Sequence, residues 1–361
     1  MGAHQQLLSV IVPVFNEEAV LMAFHQRLGA VLDGLNLAAE VIYVNDGSTD
    51  DSLSCLLALR LSDTRVGITN LSRNFGKEIA MSAGLDAASG DAVVIIDADL
   101  QDPPELIPRF VDEWRAGFDV VYGTRTSRAG ESALKKITAR LFYRLSRRIS
   151  GVKMPVDTGD FRLLSRRAVR SLRKLREQHR FMKGLFTWIG FNTTSVRYRR
   201  DPRHGGYTKF NFWKLWNFAL EGITSFTTAP LKIASYLGLL VAASAFLYGA
   251  VVLVRTMVYG NAVPGYPSLL IVTLFLGGVQ LVALGVIGEY LGRMFDETKH
   301  RPLYLVQDFY EPSGRTVRDG SEERRRRRIV DMRRRGTGAR LKQRAAAAAS
   351  PAGLVQGDPY P

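Results

Sequence analysis

The sequence predicts an α/β domain on a mostly parallel sheet, followed by amphipathic juxtamembrane helices and two transmembrane α-helices. Three observations carry that prediction. Short β-rich runs alternate with helical patterns over residues 7–125, polar residues gather where those runs end, and charge-free stretches of 22 and 21 residues occupy 233–254 and 268–288.

The strand expectations fall at 8–14, 40–44, 65–71, 92–96 and 119–122, with helical spacing at 17–35, 76–88 and 104–116. Alternation of this kind builds βαβ units, and in such sheets polar residues at the carboxyl ends of strands face the ligand crevice. Asn16, Asp46 and Asp97 to Asp99 stand at those ends. The first domain is expected to run over 1–206.

Residues 133–149 place Leu134, Ile137, Leu141, Leu145 and Ile149 at helical intervals among Lys135, Lys136, Arg140, Arg144, Arg147 and Arg148. A basic amphipathic helix at about 131–150, lying on an anionic surface, accounts for both patterns. The segment 207–230 carries Phe210, Phe212, Trp213, Trp216, Phe218 and Phe226 with few charges, as an interfacial helix at headgroup level would. Two spans follow within 231–295, at about 233–254 and 268–290, each near the roughly 20 residues that cross the hydrocarbon. The connection at 257–267 is uncharged while Arg293, Lys299 and the tail flank the other helix ends, which puts both termini in the cytoplasm; Arg255 alone breaks the pattern. Glu289 and Arg293 are spaced as an intrahelical pair. A cytoplasmic return segment at 296–316 and a basic, disordered tail at 317–361 complete the chain.

A formal net charge of +15 admits nucleic acid, anionic membrane or phosphorylated substrate as partner. Beside two spans, the membrane and a phosphorylated substrate are the expected partners, and nucleic acid is not. Cys55 is the only cysteine, so no intrachain disulfide or thiolate metal site forms. The apolar run at 7–15 is interrupted by Pro13, Asn16, Glu17 and Glu18 before a signal-peptide core develops, which leaves the front half in the cytoplasm.

Several motifs occur in a fixed order: Val12-Pro-Val-Phe-Asn-Glu-Glu18, Val44-Asn-Asp-Gly-Ser-Thr-Asp50, Asn74-Phe-Gly-Lys-Glu78, Asp97-Ala-Asp-Leu-Gln-Asp-Pro-Pro104 and Gly159-Asp-Phe-Arg162. Together they resemble the GT-A glycosyltransferases of family 2, specifically the polyprenyl-phosphate glycosyltransferases related to dolichyl-phosphate mannose synthase. The likeness covers residues 7–308. It implies a Rossmann-like GT-A catalytic domain and an inverting transfer of a hexose from a nucleotide diphosphate to a polyprenyl phosphate. Two membrane helices after that domain resemble the bacterial undecaprenyl-phosphate glucosyltransferases, which implies UDP-glucose as donor and undecaprenyl or decaprenyl phosphate as acceptor, at the inner membrane, in a homo-oligomer for which the resemblance suggests a tetramer. A GDP-mannose-using mannosyltransferase is the alternative within the family, and a non-catalytic scaffold binding anionic lipid is the alternative outside catalysis. A processive polysaccharide synthase is excluded by the absence of its Gln-x-x-Arg-Trp motif.

Site residues follow from the same resemblance. Asp99 and Gln101, with Asp97, are the expected ligands of Mg²⁺ or Mn²⁺, because two carboxylates just past an apolar strand offer hard oxygens to a metal diphosphate. Pro13, Asn16, Glu17, Asp46, Lys77 and Asp97 are expected around the nucleotide sugar, with Asp46 accepting a base N–H. The turn after Asp46 is expected to be capped by Ser48 or Thr49. Asp160, with Asp157 as fallback, is the expected base or positioning group at the acceptor; a phosphate monoester is already largely ionised at pH 7, so both roles stay open. Arg200, Arg203 and Lys209 are expected to hold the lipid phosphate, since guanidinium forks match phosphate oxygens.

Overall fold

The computed structural model describes residues 6–125, 158–198, 229–259 and 265–314. The basic helix at 131–150, the interfacial helix at 207–228, the tail from 317, and Asp157, Arg200, Arg203 and Lys209 lie outside the described residues.

Strands β1 (Leu7–Val14), β2 (Ala38–Asn45), β3 (Val66–Leu71) and β4 (Ala92–Ile95) alternate with helices α1 (Glu18–Asp33), α2 (Ser52–Ser62) and α3 (Lys77–Ala87). A short 3₁₀ turn at Pro104–Leu106 leads into α4 (Ile107–Arg115), β5 (Val120–Arg125) and β6 (Thr158–Ser165). Then come α5 (Arg166–Leu172), α6 (Met182–Trp188), β7 (Thr193–Tyr198), α7 (Ala229–Tyr259), α8 (Tyr266–Thr298) and β8 (Val306–Tyr310).

The eight strands form one sheet in the order β7-β5-β6-β4-β1-β2-β3-β8. Its centre is parallel, β4-β1-β2-β3, as the βαβ pattern requires. Both flanks depart from that: β6 runs antiparallel between β4 and β5, and β8 runs antiparallel along β3. The sheet is therefore mixed.

Period-two alternation sends successive side chains to opposite faces. Val10, Val12 and Val14 of β1 join the cluster holding Phe24 and Leu28 of α1, Leu56 of α2 and Phe110 of α4, while Ile11 joins the one holding Met81 of α3, Val169 of α5 and Phe186 of α6. The domain is thus three layers deep. Helix α3 lies very close to the sheet at Gly84, where a Cβ would meet Ile11 Cγ2 at 2.3 Å, so no side chain fits.

Helices α7 and α8 contact each other, and each contains a segment long and apolar enough to cross a membrane, Leu231–Tyr259 and Phe275–Thr298. Both helices exceed the expected spans. At about 1.5 Å per residue, the 33 residues of α8 extend about 50 Å, so it outreaches a hydrocarbon core of about 30 Å. Glu289 and Arg293 pair across one turn as their spacing predicts, with Nε donating to Oε1 at 3.0 Å. The return segment contains a strand that the sequence reading did not include: the Ser72 N–H donates to the Leu305 carbonyl at 2.9 Å, and β8 continues the pairing.

Candidate active site

The carboxyl ends of β1, β2 and β4 open on one edge of the sheet, and the loops leaving them are bonded to one another. Pro13 lies where β4 has already ended, since the β1–β4 ladder stops at Ile11 and Ile95. A proline without an N–H is tolerated there because that side of β1 has no neighbouring strand to serve. Asn16 takes a left-handed backbone at φ 55°, a conformation asparagine adopts more readily than most residues. Its N–H donates to Ser48 Oγ at 3.1 Å and its Oδ1 accepts from the Thr49 N–H at 2.8 Å. Glu17 precedes α1, and its N–H donates to Ser52 Oγ at 2.9 Å.

The expected cap is not formed. Asp51 sits at the start of α2 with no side-chain cap bond, and Ser48 and Thr49 serve the first loop instead. The reason is proximity: two loops that leave adjacent parallel strands have unpaired backbone groups facing each other, and short hydroxyl and amide side chains satisfy them.

Asp46 joins β2 to a third loop. Its Oδ1 accepts from the Phe75 N–H at 2.7 Å and its Oδ2 from the Gly76 N–H at 2.9 Å. Burial pushes its carboxyl up, opposed by those two bonds. Gly47 follows at φ 65°, and a Cβ there would lie 2.4 Å from the Arg73 backbone, so the crossing of the two loops requires glycine.

That crossing delivers Lys77, the first residue of α3, to the centre of the edge. Its ammonium donates to Asp97 Oδ2 at 2.7 Å and to Asp160 Oδ2 at 2.6 Å. The antiparallel register of β6 explains the meeting: Ile95 pairs with Arg162, so a residue two past the end of β4 faces one near the start of β6. Burial raises the Lys77–Asp97–Asp160 cluster's cost of ionisation, and the charges answer it unequally. At Asp160, Lys77, Lys183 and Arg162 outweigh burial and hold the carboxyl well below the usual range. At Asp97 burial prevails over Lys77 and the carboxyl is pushed up. Burial also disfavours the Lys77 ammonium, but the two aspartates outweigh it and push the group up.

Asp99 and Gln101 lie in the turn after β4, where the Gln101 N–H donates to Asp99 Oδ1 at 3.1 Å and Gln101 is buried. Among the described residues no three acids, histidines or cysteines form a metal cage. The oxygens of Asp97, Asp99 and Gln101 suit a hard divalent ion that takes its other ligands from a diphosphate and water, the usual mode for Mg²⁺.

The structure adds residues that the sequence reading quoted only as motif members. Arg162, buried on β6, donates to the Gly159 carbonyl at 2.8 Å and stacks over the Phe186 ring at 3.8 Å; burial lowers its pKa to about 10. Asp102 is buried and accepts from the Tyr198 hydroxyl. Glu78 accepts from the Met182 N–H at 2.7 Å, and burial, reinforced by the Asp160 charge, raises it to about 7. Position in the Asn74 to Glu78 and Gly159 to Arg162 motifs was the available signal for Glu78 and Arg162.

A carboxyl raised from 4.5 to about 7 keeps its proton in the native state after the unfolded chain has released it, so it lowers stability as pH climbs through that window. Glu78→Gln should therefore flatten the fall in melting temperature between about pH 5 and 8. Parallel curves for variant and parent would remove the assignment.

Residues 9–173 match the family described as glycosyl transferase family 2, and residues 229–294 match the GtrB C-terminal hairpin. A glycosyltransferase of Synechocystis sp. (strain ATCC 27184) is 52% identical over 303 residues, 84% of this chain and 95% of that protein. The bactoprenol glucosyl transferase of Shigella phage SfV is 49% identical over 83% of this chain and 98% of its own length. A prophage bactoprenol glucosyl transferase homolog of Escherichia coli K12 is 48% identical over the same shares. With near half-identity across almost the full length of such relatives, and with the mixed GT-A sheet and apolar hairpin in place, the chain belongs to the family 2 glycosyltransferases that carry a GtrB-type C-terminal hairpin.

Proposed function

We propose that the protein transfers glucose from UDP-glucose to the phosphate of undecaprenyl or decaprenyl phosphate, inverting the anomeric carbon. The observation that carries this reading is the Lys77 ammonium shared by Asp97 and Asp160 at the crevice edge. Relatives named bactoprenol glucosyl transferases support the sugar and the acceptor class.

In this mechanism an oxygen of the lipid phosphate attacks the anomeric carbon while the bond from that carbon to UDP breaks, and UDP leaves with the electron pair. Pro13, Asn16, Glu17 and Asp46 hold the nucleoside end. Lys77 and Asp97 lie beside the diphosphate, where the ammonium offsets negative charge as it develops. Asp97, Asp99 and Gln101 would hold Mg²⁺ or Mn²⁺, which supplies Lewis-acid stabilisation of the leaving diphosphate. The acceptor phosphate, with a second pKa near 6, is mostly ionised at pH 7. Asp160, held well below the usual carboxylate range, is a weak base, which supports a role in fixing Lys77 and excluding a wrongly placed acceptor. Arg200, Arg203 and Lys209, with Asp157 as the second acid, complete the acceptor side in this reading.

The apolar lengths of α7 and α8 support a multi-pass protein of the inner membrane, with the GT-A domain and both termini cytoplasmic by the positive-inside rule. Among the described residues no heavy atom outside the helix lies within 4 Å of where a Cβ would stand at Gly277, Gly278, Gly285 or Gly288, and such small-residue faces suit helix packing in a homo-oligomer.

The test is incubation of membranes carrying the protein with polyprenyl phosphate and radiolabelled UDP-glucose, other UDP-hexoses or GDP-mannose, followed by organic extraction. Label should enter the lipid fraction from UDP-glucose. Label from GDP-mannose alone would transfer the reading to a mannosyltransferase, and label from none of the donors would leave only a lipid-binding scaffold.

A further inference from the structure

The last turns of α8 reach the α/β domain and bind one loop of it. The Gln178 N–H donates to Glu297 Oε1 at 2.6 Å, and Gln178 Nε2 donates to the Arg301 carbonyl at 2.5 Å. His179 Nε2 lies 3.0 Å from Asp296 Oδ2. The charge-free stretch of α8 ends at Gly288, and Asp296 and Glu297 stand eight and nine residues further on, more than two turns, where charged side chains belong outside the hydrocarbon.

The bound loop leads directly to the site. Arg180 is buried and closes the loop on itself by donating to the Leu175 carbonyl at 2.5 Å. Phe181 precedes α6, and the N–H of Met182, the first residue of α6, donates to Glu78 at 2.7 Å. Glu78 is the neighbour of Lys77 in the first turn of α3. The other end of α3 is held from the same direction: the Tyr304 hydroxyl, just past α8, donates to Asp86 Oδ2 at 2.8 Å. Asp86 also accepts from Arg176, at 2.7 and 2.9 Å, on the segment that leads into the loop. Both ends of the helix that presents Lys77 are therefore tied to the chain at and beyond the inner end of α8.

We propose that the inner end of α8 is a positioning element of the transferase site, with Glu297 and Asp296 holding the 177–181 loop so that Met182 fixes Glu78, and through it Lys77, against Asp97 and Asp160. The hairpin then does more than retain the enzyme at the membrane. It sets the geometry of the donor site, and a hairpin seated in the wrong register leaves the ammonium displaced.

The turnover readout of this inference rests on the proposed glucosyl transfer; its exchange readout does not. Full-length Glu297→Ala and Asp296→Ala proteins in lipid vesicles should show faster amide hydrogen exchange at residues 178–182 and 77–80 than the parent. Their kcat should fall by about 2- to 30-fold, the range for a positional coupling across packed elements, at equal membrane content. Glu297→Gln keeps an acceptor oxygen for the Gln178 N–H and should recover most of the turnover, whereas a loss caused by general unfolding would not be recovered. Glu289→Gln, two turns earlier on the same helix, should match the parent in both readouts. Unchanged exchange at Met182 in Glu297→Ala overturns the inference, and so does faster exchange with undiminished turnover. A parent that makes no glucosyl lipid defeats the reaction instead, and the exchange comparison still decides whether α8 holds the loop.

Discussion

Lys77→Ala should reduce transfer on the order of 10³-fold, the scale of removing one group that stabilises developing charge, and should also lower the melting temperature. The lysine is bonded to Asp97 at 2.7 Å and to Asp160 at 2.6 Å, so its removal takes away the one cation shown bonded to both carboxylates. Breaking a buried pair costs about 3–5 kcal/mol, but Lys77 is 41% exposed and water screens part of that, which brings the expected loss to about 1–2 kcal/mol. Asp97, already pushed up by burial, should then be pushed further up, because the Asp160 charge opposes its ionisation and the lysine no longer answers it. Adding Asp160→Asn to the alanine variant relieves that repulsion. The double variant should regain stability and not turnover, a separation that thermal melting and the lipid-extraction assay read independently. If the single variant transfers sugar like the parent, Lys77 has no part in holding the diphosphate.

The parallel centre of the sheet was legible because each of its strands is an apolar run with a polar terminus followed by a helix, and these local signals are sufficient for βαβ units. Strands β6, β7 and β8 were not read. Their pairing depends on partners far away in sequence: Asn70 of β3 pairs with Asp308 of β8, and their side chains are joined at 3.2 Å from Nδ2 to Oδ2. Periodicity within a segment carries no information about such a partner. The site divides along the same line. Motif order picked out Lys77, Asp97 and Asp160 separately, yet their contact follows from the antiparallel register of β6. The Glu289–Arg293 pair was foreseen because helical geometry alone fixes four-residue neighbours. Ser48 was read as a cap for the same local reason, and it failed because a neighbouring loop offered the nearer donor. Asp46 was read as a partner for the base from its place at the end of β2; that its two oxygens also accept the Phe75 and Gly76 N–H groups, and so place the loop that starts α3, is a long-range contact that no local signal carries.

Asp99→Ala separates metal binding from the lysine network, since the two aspartates of the Asp97-Ala-Asp99 turn are differently engaged. Asp97 is bonded to Lys77, so its replacement disturbs the site's structure as well as its charge. Asp99 accepts from the Gln101 N–H at 3.1 Å, a local turn bond whose loss costs on the order of 1 kcal/mol. The alanine variant should therefore melt close to the parent without ligand, while transfer falls on the order of 10³-fold as a charge-stabilising contribution is lost. Ligand-linked melting provides a second readout. With UDP and Mn²⁺ at about 100 times their dissociation constant, the parent should gain about 2.7 kcal/mol, and the variant should gain little from the metal at any UDP concentration. Equal stabilisation of both proteins by Mn²⁺ would place the ion elsewhere. Asp97 and Gln101 alone would then be too few oxygens to account for a joint metal–diphosphate site at this turn, and the assignment of the crevice edge to the leaving diphosphate would rest on Lys77 without a cation partner.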